Sequence, residues 1–338
     1  MTPADRRGGR ALHVALGIAV SGVLIWLAFR KRDFGALWSD IRSVRVIPLL
    51  VTVAVATIPF PLRVPRWELL LRRDDGGTLP RRSLWQSIAI GFAANNLLPF
   101  RAGEILRVGA ANRLTGVPFA AALSSVAVER VIDALTVVAL LGLGLLTADL
   151  PPGVRIGGVA MATVATRVGL VCLAVLVMAI VAAWRRPSAL RLLERLLPRG
   201  KTADRLVHFA DHVLRGTGAL RDPRRAAPIV VWSAVIWLVN ASAYYAMTRA
   251  FSFPVPFSGA LILQGALMIG IAVPSTPGYV GVFEAIIPAV LALYGIDQNA
   301  ALACALVYHV TTFIPITFLG VLAAIRTGVH LRTGPELP

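Results

Sequence analysis

A succession of long apolar runs separated by short basic segments constrains this chain more than any other feature. The runs extend from Ala11 to Phe29, Val46 to Leu62, Leu84 to Leu98, Pro118 to Thr147, Val159 to Trp184, Ala227 to Ala250, Phe257 to Val273, Gly278 to Tyr294 and Ala300 to Ile325. Most reach or approach the ~20 helical residues that cross a hydrocarbon core of about 30 Å. Backbone in lipid has to satisfy its own polar groups, so such runs fold as helices. With 57% hydrophobic and 15% charged residues and a mean hydropathy of +0.74, the chain reads as all-α and polytopic, a single integral membrane domain over 1–338. The first run ends in Arg30, Lys31 and Arg32 with no small-residue cleavage pattern, so it reads as a retained helix rather than a signal peptide.

The net charge of +17 sits between the apolar runs, as expected of cytoplasmic segments facing anionic lipid, and no basic face interleaved with aromatics points to nucleic acid. Cys172 and Cys304 both lie in apolar stretches, which excludes a disulfide framework and a cysteine-rich metal site. No metal and no cofactor is expected.

Topology follows from the basic segments. A loop from Arg63 to Arg82, with Arg63, Arg66, Arg72, Arg73, Arg81 and Arg82, and a second segment over 185–226 both read as cytoplasmic. An odd number of runs separates them, so one has to turn back. Leu84 to Leu98 is the one broken by Asn95, Asn96, Pro99 and Gly103, followed by a polar return arm from Arg101 to Arg113. This predicts a re-entrant hairpin over 84–114 within a first repeat, 46–147. The same parity in a second repeat, 227–326, predicts an opposed hairpin over 257–294, split by Pro274, Pro277, Gly278 and Gly281. Gln86, Pro99 and Gly103 match Gln264, Pro277 and Gly281 at one constant offset. The expected architecture is about six full crossings plus two opposed re-entrant hairpins in an inverted repeat, as in many transporters. Both termini are expected in the cytoplasm of a cell with this protein in its plasma (inner) membrane. The basic loop from Arg30 to Arg45, external in this scheme, runs against the charge rule. Within 185–226, Leu206, Phe209, Ala210, Val213 and Leu214 share a helical face that suits the bilayer surface or the bundle, or else a docking partner.

Charges inside apolar runs are the candidate functional residues. Glu129, Arg130 and Asp133 sit near the middle of a long apolar helix, where three unpaired charges cost roughly 8–10 kcal/mol. Either they lock helices together, or Arg130 binds an anionic headgroup while Glu129 and Asp133 balance charge or carry protons. At the first break, Arg101 reads as a phosphate clamp beside free helix-end N–H groups, with Glu104, Asn95 and Asn96 near it. A solvated surface turn is the competing reading. The second break places Tyr279 among the substrate-binding candidates and Glu284 as a lone carboxylate, either a structural lock or a proton-coupling group. His309 follows Glu284 at the spacing that separates Glu129 from Glu104, so it joins the proton-coupling or charge-balancing set.

Three stretches together resemble the flippase-like membrane domain family: Asn95-Asn96-Leu97-Leu98-Pro99-Phe100-Arg101-Ala102-Gly103-Glu104, Glu129-Arg130, and Pro274-Ser275-Thr276-Pro277-Gly278-Tyr279-Val280-Gly281-Val282-Phe283-Glu284. That family includes the transmembrane region of lysylphosphatidylglycerol synthases, bacterial flippase-like proteins and relatives associated with hopanoid synthesis. The resemblance covers almost the whole chain and implies membership without naming a substrate. It departs in two places. His309 stands where the family pattern has an arginine, and no aminoacyl-transferring domain follows Ile325, so lysylphosphatidylglycerol synthesis by this chain alone is not expected.

The resulting expectation is a non-enzymatic transporter or flippase for an amphipathic, phosphate-bearing membrane lipid. Two rival readings stay open: a lipid-binding scaffold serving a lipid-synthesis enzyme partner, and an intramembrane lipid-modifying enzyme. The enzyme reading has little to stand on, because Ser275 lacks an evident base unless His309 approaches it.

Overall fold

A computed structural model describes residues 19, 21–30, 32–71, 77–98, 102–148, 155–156, 159–184, 200, 223–272 and 276–329. The described residues are helical almost throughout, apart from a two-residue antiparallel pairing of β1 (Arg155–Ile156) with β2 (Val159–Ala160). The amphipathic segment expected over 185–226 lies almost wholly outside the described residues, as do Pro99, Arg101, Pro274 and Ser275.

After helical residues 21–29, a short helix α1 (Phe34–Arg42) starts at Asp33, whose carboxylate caps Gly35 and Ala36. Helices α2 (Val46–Thr57) and α3 (Pro59–Leu70) then run nearly as one, because Ile58 between them stays helical and Pro59 occupies a first-turn position that needs no N–H. This corrects the sequence reading. The loop expected from Arg63 starts only after Leu70, and Arg63 and Arg66 are buried inside α3.

Helix α4 (Arg81–Leu97) turns back into α5 (Gly103–Thr115), which ends on the left-handed Gly116. The two arms are in backbone contact: a Cβ on Gly103 would overlap the Gly91 carbonyl oxygen. Helix α6 (Phe119–Leu146) has 28 residues, about 42 Å at 1.5 Å per residue, long enough to cross a bilayer despite its three central charges. Helix α7 (Met161–Trp184) packs on it through Gly142 and Gly169. Helix α8 (Pro223–Ala250) lies against α2 and α3.

The second hairpin consists of α9 (Phe257–Ala272) and α10 (Val282–Leu291), joined through a turn at Pro277–Tyr279. Gly278 (φ 73°), Tyr279 (φ 61°) and Gly281 (φ 90°) take left-handed backbone there, which the two glycines accept without strain. Gly259 near Tyr294 and Gly270 near Val282 and Ile286 show the arms antiparallel and close. Helix α11 (Gln298–Thr327), capped by Asp297, then passes both hairpins. It lies against α4 at Gly320, where a Cβ would overlap Ala89, and meets the second break at His309.

Polarity is distributed as lipid demands. Val310, Ile314, Phe318 and Ile325 are exposed along α11, and Ile47, Leu50 and Val51 along α2. Arg63, Arg66, Arg107, Glu129, Asp133 and Glu284 are buried. Val46–Leu70, Ala226–Ala250, Pro277–Tyr294 and Gln298–Thr327 have the length and apolarity of membrane spans, while Phe257–Ala272 is shorter. Apolar surface outside and charge inside make this a multi-pass helical membrane protein.

Candidate functional site

The three charges of α6 do not stand alone. Glu129, fully enclosed, accepts hydrogen bonds from both terminal nitrogens of Arg107 on α5 at 2.8 and 2.9 Å. Arg66 of α3 approaches it to 3.2 Å, and the neighbouring Arg130 also donates to it. Asp133, one turn on, accepts from Arg66 and from the indole N–H of Trp237 at 2.8 Å, and takes a longer bond of 3.4 Å from Arg63. Helices α3, α5, α6 and α8 are thereby tied at one depth.

Aromatic rings complete the cluster. The Arg107 guanidinium lies 3.9 Å from the Trp67 ring, and Arg63 sits near the rings of Phe92 and Trp237. Trp67 in turn donates to Ser125 on α6.

Arg63, Arg66 and Arg107 were not among the residues singled out from sequence. The first two lay in an arginine-rich stretch that resembled a loop, and Arg107 lay in the polar return arm. One signal did point to them: two carboxylates deep in an apolar helix require compensating cations from other helices.

Four guanidiniums, from Arg63, Arg66, Arg107 and Arg130, meet three carboxylates, because Glu104 approaches Arg130 to 3.7 Å. The cluster therefore keeps one positive charge among the described residues. Their four Nε–H groups are all buried with no hydrogen-bond partner there. Arg130 meets all three carboxylates and is the most accessible of the four arginines, its side chain 37% exposed while that of Arg107 is 2% exposed.

Arg130 and Arg63 line a cavity of about 170 Å³, together with Asn95, Asn96, Glu104, Asn240, Tyr279 and His309. Aromatic residues form much of the remaining wall, including Phe60, Tyr244 and Phe313. Asn240 Oδ1 is buried with no partner among the described residues.

The two predicted breaks meet at this cavity. Asn95 Oδ1 accepts from the Gly103 N–H at 3.0 Å, closing the first break, and Asn96 donates to Thr317 of α11 at 2.7 Å. The Asn96 carbonyl lies 3.5 Å from where a Cβ on Gly278 would be, so the turn of the second break rests on the end of α4. Behind that turn, Glu284 accepts from the Gly281 N–H at 2.7 Å and faces His309 Nδ1 at 2.8 Å. Far from standing alone in apolar surroundings, Glu284 is doubly bonded. The first helix reaches the same place, since Ser21 donates to Thr276 and accepts from its N–H, both at 3.0 Å. Among the described residues no group of histidine, cysteine and carboxylate side chains could hold a metal ion.

Fold and site define a polytopic helical membrane protein with inward-facing charge around a cavity between two interrupted helix pairs. Residues 14–320 match the family described as the lysylphosphatidylglycerol synthase TM region, and the chain belongs to that family, as the motifs at its breaks implied. It is also similar to a UPF0104 membrane protein of Methanothermobacter thermautotrophicus, 25% identical over 327 residues that cover 92% of this chain and 90% of that protein.

Proposed function

We propose that this protein is a transporter or flippase that moves an amphipathic, phosphate-bearing lipid across the plasma (inner) membrane, with both termini cytoplasmic. The two broken helix pairs act as opposed re-entrant hairpins whose meeting point alternately faces each side. The observation that carries this reading is the single surplus positive charge of the arginine cluster, two of whose members, Arg130 and Arg63, line the cavity between the breaks.

A phosphodiester carries one negative charge at neutral pH and offers the geometry a guanidinium binds best. Its arrival would neutralise the cluster. A cavity of about 170 Å³ admits a headgroup but no acyl chains, which stay in the bilayer beside the apolar outer faces. No residue of the cavity is assigned a catalytic role.

The test is reconstitution in vesicles containing fluorescent anionic, zwitterionic and polyprenyl-phosphate lipids. Wild-type protein is expected to move at least one phosphate lipid, and the folded fraction of Arg130→Gln, isolated by size-exclusion chromatography, to bind it roughly 10- to 100-fold more weakly. Failure to bind or move any phosphate lipid, or equal binding by Arg130→Gln, would overturn the proposal.

A further inference from the structure

Both ring nitrogens of His309 face hydrogen-bond acceptors. Nδ1 lies 2.8 Å from Glu284 Oε1 and Nε2 lies 2.7 Å from the carbonyl oxygen of Gly278. A neutral imidazole has only one N–H, so it cannot bond to a carboxylate and a carbonyl together. Two arrangements satisfy both distances. Either the ring carries both protons beside an ionised Glu284, or Glu284 donates its proton to Nδ1 while Nε2–H donates to Gly278. The second Glu284 oxygen already accepts from the Gly281 N–H, so a proton on this carboxyl belongs on Oε1, between the two groups. Both arrangements hold two protons on the pair and give it zero net charge.

We propose that His309 and Glu284 form a proton-binding pair that holds two protons in this conformation and fastens the second hairpin break, which loosens when one proton leaves. With one proton left, the favourable choice is Nδ1–H facing the carboxylate. The lone pair of Nε2 then opposes the Gly278 oxygen at 2.7 Å, and that contact breaks. Gly278 sits in the left-handed turn that touches both the end of α4 and Phe313, so the loss releases the point where the breaks meet.

The surroundings hold the ring while leaving the proton a way out. His309 stacks on Phe283 with centroids 4.3 Å apart, and Phe313 meets it edge-on at 6.3 Å. Glu284 from α10 faces it directly. Across the shared cavity stand Glu104, Arg130 and Arg63 from α5, α6 and α3, with Tyr279 on the turn and Tyr308 beside it on α11, close to Tyr244 of α8. Because His309 lines the cavity and Glu284 does not, the proton leaves through the ring.

The pair's link to lipid movement rests on the proposed transport function, but its proton content and its hold on the turn can be measured without lipid moving. The first measurement is nitrogen-15 NMR of histidine-labelled full-length protein, with His309 assigned by its absence in His309→Gln. Two protons on the pair are expected at low pH and one at high pH; a singly protonated ring facing an ionised Glu284 at every pH at which the turn is closed would overturn the proposal. The second is hydrogen exchange of the 277–284 amides, corrected for the intrinsic pH dependence. In wild type, loss of the proton should accelerate exchange by roughly tenfold or more, the equivalent of one hydrogen bond to a charged partner. Glu284→Gln should abolish that step, and His309→Arg, with a permanent charge, should keep the turn closed at all pH values. Equal pH profiles in wild type and Glu284→Gln would sink the idea; should His309→Arg not fold, the other measurements still decide.

Discussion

Replacing Arg107 with methionine tests whether the charge cluster holds the bundle together. Arg107 is 2% exposed, and its two terminal nitrogens bond to the two oxygens of a fully buried carboxylate. Removing one partner of a buried ion pair costs about 3–5 kcal/mol, because the remaining charge is stranded. Glu129 retains Arg66 at 3.2 Å and Arg130, so the lower end, about 3 kcal/mol, is expected for Arg107→Met. The Arg107→Met, Glu129→Gln double variant strands no carboxylate and should recover roughly 1.5–2 kcal/mol of the summed single losses. Unfolding in mild detergent, titrated with a denaturing detergent, can be followed by tryptophan fluorescence. Trp67 lies under Arg107 and Trp237 binds Asp133, so native reporters sit inside the cluster. A loss below about 1 kcal/mol for Arg107→Met, or strict additivity of the two substitutions, would refute the reasoning.

Gly103→Ala forces a methyl group into the Gly91 carbonyl and against Asn95, and backbone on both sides leaves little room to yield. It should cost about 3 kcal/mol or more and weaken the first hairpin, read as accelerated hydrogen exchange in α4 and α5. Asp40, on the short helix α1, has its carboxyl pushed above the usual aspartate range by partial burial and then by the nearby Asp297. A raised carboxyl pKa in the folded state means that its favourable contribution is complete below the ordinary aspartate value and is lost as pH rises through the raised one. Asp40→Asn should therefore raise the thermal midpoint slightly at neutral pH, with the advantage vanishing in acid.

Much of this site could be read in the sequence, for a specific physical reason. Glu129, Arg130 and Asp133 stood out because charge in the middle of an apolar run is costly anywhere but in a paired or wet place. Asn95, Gly103, Gly278 and Gly281 stood out because they interrupt helices that composition would otherwise continue. What stayed hidden was the source of the compensating cations. Arg63 and Arg66 belong to a run of basic residues that continues past Leu70, and three prolines in α3 suggested its end rather than its continuation. Spacing by three places both arginines on one helical face, yet only the fold shows that this face meets α6. The contact of Ser21 with Thr276 had no local signature at all.

The two breaks share one plan with a single chemical difference. Each has a carboxylate in the first turn of the helix that follows, Glu104 in α5 and Glu284 in α10, and each carboxylate faces a basic group on a later helix. For Glu104 that group is Arg130, which stays charged at every accessible pH; for Glu284 it is His309, which need not. Under the proposals above, only the second break responds to protons, and it does so beside the site that attracts an anion. Loss of one proton takes the cavity from one surplus positive charge to none. Across a separation on the order of 10 Å, at an effective dielectric of about 20, that change is worth roughly 1.7 kcal/mol to a bound monoanion, about 15- to 20-fold in affinity. Linkage makes the effect reciprocal, so a bound phosphate lipid should strengthen proton retention by the same factor. Adding a phosphate lipid to weakly buffered protein near the pair's midpoint should therefore draw protons from solution, and His309→Arg should bind the lipid without that uptake.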